Sequence, residues 1–315
     1  VTRRGWLLFS AMCLLWGIPY LLIKLAVAEV SVPVVVFVRT ALGALVLLPL
    51  ALRPGVLGLL RRHWLPLVGF ACLEIVGPWA LVSDAEKHLP SSLAGLLIAA
   101  VPILAVLAER ATGGTERLSA GRSIGLALGF AGVAVLAAPT LSGGAVWPVI
   151  EVLLVAVGYA VAPLIAVRRL GAVPGLQMTA ACLTFAALVY AVPAALTWPD
   201  RMPSPHAVGS LVALGLLCTA LAFVLFFALI REVGPSRATT FTYVNPAVAV
   251  AAGVLLLDEP LTLTTLAAFG LILIGCGLAT RAPAAPVNDQ LCWEPGCANL
   301  EPEADLEPRP EEGVR

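Results

Sequence analysis

The sequence predicts an all-α, polytopic membrane protein: ten transmembrane helices as two inverted five-helix repeats, with a disordered acidic C-terminal tail. Three observations carry that prediction. The first is composition. Of 315 residues, 60% are hydrophobic and 12% charged, and the mean hydropathy is +0.98. Soluble domains carry about 25% charged residues, and a water-soluble fold of this size cannot hide so much apolar surface. The second is segmentation into apolar runs of about 20 residues, the length that crosses a hydrocarbon layer. The third is doubling. The stretch from Gly234 to Thr280 reads as two apolar helices joined by Asp258-Glu259-Pro260, and Leu89 to Ala138 echoes it. An offset of 144 carries Ser92 onto Ser236, Ala94 onto Ala238 and Pro102 onto Pro246. An offset of 143 carries Glu116 onto Glu259, Leu118 onto Leu261 and Gly132 onto Gly275. Duplication of this kind marks membrane transporters built from two halves.

Ten segments follow in order, near 5–27, 33–52, 64–83, 90–109, 121–138, 146–167, 176–197, 206–230, 236–257 and 260–280. The first is too long for the core of a secretory signal peptide, about 7–15 residues, and reads as a retained span. The connections hold turn-forming residues: Arg53-Pro54-Gly55, Gly113-Gly114, Ser142-Gly143-Gly144, Pro199-Asp200 and Gly234-Pro235. Repeat 1 is expected over 5–140, repeat 2 over 145–281, and the tail over 282–315. That tail holds eight acids and two arginines in a Pro-rich context, and buries too little apolar surface to order itself.

The net charge of zero hides an excess of 17 basic over 11 acidic groups before the tail. With the N-terminus in the cytoplasm, inner loops and flanks hold thirteen arginines, while outer loops hold only Lys87 and Arg201. This positive-inside bias puts both termini in the cytoplasm of a multi-pass protein of the cell (plasma or inner) membrane. Five spans per half is an odd number, so the halves must be inverted relative to each other.

The chain also resembles the EamA family of the drug/metabolite transporter superfamily. The motifs are Trp16-Gly17 followed by Lys24, then Arg39, then LPSSLA at Leu89–Ala94. In the second half they are ALIREVGPSRA at Ala228–Ala238, Asn245-Pro246, and LLLDEPLT at Leu255–Thr262. The resemblance implies a central cavity between the repeats, alternating access, and export or exchange of small metabolites, amino acids or drugs. It also implies a structural or gating role for Lys24 with Arg39. Pro19, Glu74 and the acidic tail depart from the family pattern.

The candidate substrate-binding or coupling residues are Trp16, Tyr20, Arg39, Glu74, Trp79, Tyr159, Tyr243 and Asn245. A charge at mid-bilayer costs at least about 2.5–3.5 kcal/mol, so Glu74 needs a proton, a substrate amine or a wet cavity, or else Lys24 or Arg39 as a buried partner. Pro102 and Pro246 each remove a helical hydrogen bond and are the candidate hinges or cavity walls. Lys24 is the structural or gating charge. Glu151 is expected to snorkel, and Glu259 to sit solvated in its turn. Gly125, Gly129, Gly275 and Gly277 suit close helix packing.

No catalytic residues, metal site or cofactor are expected. The three histidines are scattered, Cys292 and Cys297 fit no zinc pattern, and no Walker motif points to ATP. The expected partners are a small-molecule substrate, the lipid bilayer, and a proton or other coupling ion. Nucleic acid is not among them, and a homodimer is left open. The reading is a secondary-active transporter and not an enzyme. An intramembrane lipid-modifying enzyme and a small-molecule channel or sensor are the alternatives.

Overall fold

The computed structural model describes residues 2–112, 119–144, 146–234 and 238–280. The tail, Glu116, Ser236 and the Cys292/Cys297 pair lie outside the described residues. Among the described residues there is no strand.

Ten apolar helices follow one another: α1 (Arg3–Val27), α2 (Val32–Ala51), α3 (Trp64–His88), α4 (Ser91–Ala111), α5 (Ala120–Leu141), α6 (Val146–Arg169), α7 (Gly175–Leu196), α8 (Pro205–Val233), α9 (Asn245–Leu256) and α10 (Leu263–Ala279). Eight are long and apolar enough to cross a membrane, and α9 and α10 are shorter. A short helix, Val56–Arg62, lies between α2 and α3. Side-chain oxygens of Thr2, Ser119, Ser204 and Thr262 accept hydrogen bonds from the first turns of α1, α5, α8 and α10, satisfying N–H groups that have no partner within the helix.

The pairs that join the two halves include α1–α8, α2–α7, α3–α6, α4–α9 and α5–α10. Exchanging the first five helices for the second five maps this set onto itself, as a two-fold relation between inverted halves requires. The α5–α10 seam depends on glycine. A Cβ on Gly275 would stand 2.6 Å from Gly129 Cα and 2.7 Å from the Gly125 carbonyl, so backbone meets backbone there. Gly277 faces open space, so of the two glycines expected to pack in α10, one does.

Several expected boundaries move. The third segment runs on to His88, five residues past its expected end. The first is interrupted at Trp16–Ile18, ahead of Pro19. The ninth starts as a 3-10 turn, Thr239–Tyr243, before the regular helix at Asn245.

Candidate functional site

The helices are irregular where the sequence places its prolines. Pro102 has no N–H for the Ile98 carbonyl, and α4 breaks at Ala99–Ala100, whose amides make short i−3 bonds to Leu96 and Leu97. Pro246 does the same to Thr242, and the 3-10 turn before α9 results. In α3, Pro78 cannot donate to Glu74. The Gly77 amide bonds instead to the Cys72 carbonyl, and Cys72–Val76 becomes a π-helical turn. A second π turn, Leu216–Leu221, interrupts α8, where the Thr219 hydroxyl donates to the Leu214 carbonyl at 2.8 Å. The two π turns begin 144 residues apart, the same offset that relates the prolines. Isolated π turns are frequent at functional sites. Gly158 makes room for the first: a Cβ there would lie 2.5 Å from the Leu73 carbonyl oxygen.

These irregular turns surround a cavity of about 270 Å³. Trp16, Tyr20, Arg39, Glu74, Trp79, Tyr159, Tyr243, Asn245, Pro102 and Pro246 all line it, as does Pro19. Residues from six different helices and the turn before α9 thus converge on one space. Lys24 is not part of the lining; its ammonium donates to the carbonyls of Glu86 (2.6 Å) and Leu89 (2.9 Å). Cys218, Phe223 and Thr242, which no motif singles out, also stand in the wall. The repeat offset finds two of them, since it carries Glu74 onto Cys218 and Trp79 onto Phe223.

Arg39 is buried. Its Nε donates to Thr219 Oγ1 at 3.1 Å, and its guanidinium carbon lies 3.6 Å from the centre of a Trp79 ring. It therefore ties α2 to α3 and to the second π turn through a hydrogen bond and a cation–π contact. Trp16 Nε1 donates to the Cys218 carbonyl at 3.2 Å, a backbone group of that same turn. The Trp16 ring packs against Phe223, Phe226 and Phe241 at centroid distances of 5.4, 5.1 and 5.2 Å. Tyr243 Oη and Thr280 Oγ1 share a hydrogen bond of 2.8 Å. Tyr159 lies within electrostatic reach of both Glu74 and Arg39.

Among the described residues, two acceptors in this wall have nothing to accept from. Glu74 Oε2 and Asn245 Oδ1 are buried without a hydrogen-bond partner. The buried-partner alternative for Glu74 is not what the structure shows. Lys24 is spent on backbone carbonyls, Arg39 on Thr219 and Trp79, and among the described residues Glu74 forms no ion pair. Two other acids also depart from expectation. Glu151 does not snorkel: it is 3% exposed, with Asp84 and Trp147 beside its carboxyl. Glu259 is not free in solvent. It accepts from Ser91 N (2.7 Å), Ser91 Oγ (2.9 Å) and Ser92 N (2.9 Å), so a carboxylate of the second half caps α4 of the first. Partial burial works against its charged form, but the Ser92 and Ser91 hydrogen bonds outweigh that and hold its carboxyl below the ordinary carboxylate range.

A bundle of apolar helices in two repeats, broken around a solute-sized cavity lined by aromatic rings and a few polar groups, defines a multi-pass membrane transporter. Residues 3–138 and 146–281 each match the EamA-like transporter family, and the chain belongs to it. It is 27% identical over 294 residues to the "Uncharacterized inner membrane transporter YedA" of Escherichia coli K12, an alignment covering 88% of this chain and 92% of that one. It is 28% identical over 306 residues to the "Uncharacterized transporter YvbV" of Bacillus subtilis 168, covering 92% and 97%. An "Uncharacterized transporter" of Archaeoglobus fulgidus is 25% identical over 285 residues. A solved structure titled "Crystal structure of protein" superposes with a TM-score of 0.63 at 24% identity, covering 89% of this chain and 98% of that one. That likeness is one of fold.

Proposed function

We propose that the chain is a secondary-active transporter. It carries a small solute through the cavity between its halves by alternating access, and Glu74 receives either a coupling proton or an ammonium group of the solute. The observation that carries this is Glu74 itself, whose Oε2 is an unpartnered buried acceptor on a π turn facing a cavity of about 270 Å³. An ionised carboxyl so placed is costly unless a cation or a proton joins it. The chemistry of the wall suits a solute with N–H donors for Glu74 and Asn245 and an apolar or aromatic body for the rings. Metabolites, amino acids and drugs all contain such solutes. The excess of arginine on one side argues that both termini lie in the cytoplasm of a cell or inner membrane, with export the direction the family resemblance favours.

The test is Glu74→Gln in reconstituted vesicles. Proton-driven transport should be abolished while counterflow of unlabelled for labelled solute persists. Proton-driven transport at the wild-type rate would end the coupling role. Loss of both activities in a folded variant would make Glu74 a solute contact instead.

A further inference from the structure

Below the cavity lies a second acid that the proposed mechanism does not use. On α3, Trp79 and Val82 face the cavity, and Glu86 continues the same helical face one turn further, about 6 Å along the axis. On α1, Tyr20 and Ile23 line the cavity and Lys24 is the next residue. Ile23 and Val82, 2% and 3% exposed, form the floor. Beneath it, Glu86 is 0% exposed, and among the described residues neither of its buried carboxylate oxygens has a hydrogen-bond partner. The Lys24 ammonium donates to the Glu86 main-chain carbonyl and to Leu89, and forms no ion pair with the Glu86 side chain.

The charged and titratable groups within electrostatic range of this carboxyl come from three neighbouring elements. Lys24 and Tyr20 reach it from α1, Arg39 from α2, and Glu259 from the α9–α10 turn. From α6, Glu151 faces Asp84 and His88 rather than Glu86. One layer further out, Glu259 holds the start of α4. The α3–α4 end thus carries two tethers, the Lys24 clamp and the Glu259 cap, with an unsatisfied buried acid on the same helix end. A buried carboxylate with no donor is unfavourable as an anion, and in water it becomes an ordinary acid of pKa about 4.3.

We propose that Glu86 is a second proton-binding site, distinct from the cavity, which holds its proton while the α3–α4 end is shut and releases it to water when the Lys24 clamp opens. This rests on the transporter reading but not on Glu74. Opening then exports one proton from the gate itself. At a fixed pH above the exposed value, each further pH unit favours the open form by up to about tenfold, until the shut form also ionises.

The experiment uses the full chain in lipid nanodiscs, as wild type, Glu74→Gln and Glu86→Gln. Two readouts are taken across a pH titration: the infrared carbonyl stretch of protonated carboxyl groups, and the electron-spin distance between labels at Met202, on the α7–α8 loop, and His88, the last residue of α3, both exposed at this end. In the wild type, a protonated-acid band should persist at neutral pH, and the long-distance population should grow with pH. Glu86→Gln should remove its share of the band and flatten the pH dependence of the distance. Glu74→Gln should leave both Glu86 signals in place, which separates this site from the cavity site. If Glu86→Gln does not fold, Glu86→Asp keeps the carboxyl and should shift the band while preserving the slope. A band and a slope identical in wild type and Glu86→Gln would overturn the proposal, as would an Asp variant with neither.

Discussion

Removing the Glu259 carboxylate should loosen the junction between the two halves. The structure gives it three hydrogen bonds of 2.7–2.9 Å, two of them from the first backbone amides of α4. Loss of a capping acceptor costs about 0.5–2 kcal/mol. Loss of a negative charge from a helix N-terminus adds about 0.3–1 kcal/mol, with the lower part of that range fitting a half-exposed group. Glu259→Ala should therefore destabilise the fold by about 1–3 kcal/mol, and about 2 kcal/mol corresponds to roughly thirtyfold in the folded-to-unfolded ratio. The sign of the pH dependence follows from the direction of the shift. The folded carboxyl titrates below its unfolded value, so its contribution is complete above the ordinary carboxylate range and disappears as pH falls through the lowered value. Denaturant unfolding in micelles at several pH values reads both quantities. The wild type should show an acid limb that is smaller in Glu259→Ala. Equal stability and an equal acid limb in the two proteins would refute the capping argument.

Gly275→Ala should destabilise by about 1–3 kcal/mol, because the new Cβ meets backbone that cannot rotate away, whereas Gly277→Ala should be neutral or slightly stabilising; thermal unfolding of the two in parallel checks the contrast. Arg39→Lys keeps the charge but loses the planar stack on Trp79 and the Nε bond to Thr219. It should lower transport at least tenfold while the protein remains folded, and transport at the wild-type rate would remove Arg39 from the mechanism. Glu29, held below the ordinary range by the Ser204 hydroxyl and amide, should contribute a second acid limb that survives in Glu259→Ala and is absent in Glu29→Gln.

The doubled proline and small-residue pattern made the architecture legible, because hydrophobic length and helix breaking are local properties of the chain. The wall of the cavity was legible for the same reason: aromatic and ionisable residues in mid-span have few other places to go. Glu86 lies past the expected end of the third segment because Asp84-Ala85-Glu86-Lys87-His88 reads as a polar turn, whereas the helix continues with Lys24 satisfying carbonyls at its end. The spacing Trp79, Val82, Glu86 was the available signal. Glu259 was read as solvated because its partners lie 168 and 167 residues away in sequence. Glu151 was expected to reach for the interface, but Asp84 of α3 stands beside it. The π turns follow from Pro78 and Thr219 only once the backbone geometry is known.

Where the first half carries Glu74, the matching turn of the second carries Cys218. A faithful copy would have set two carboxyls opposite one another in a confined space, and mutual repulsion would have kept one of them from ionising. The two repeats thus share a frame, while the cavity carboxyl stands on one side of it. Among the residues that line the cavity Glu74 is the one carboxylate, so the acid chemistry of this space rests on the first half alone.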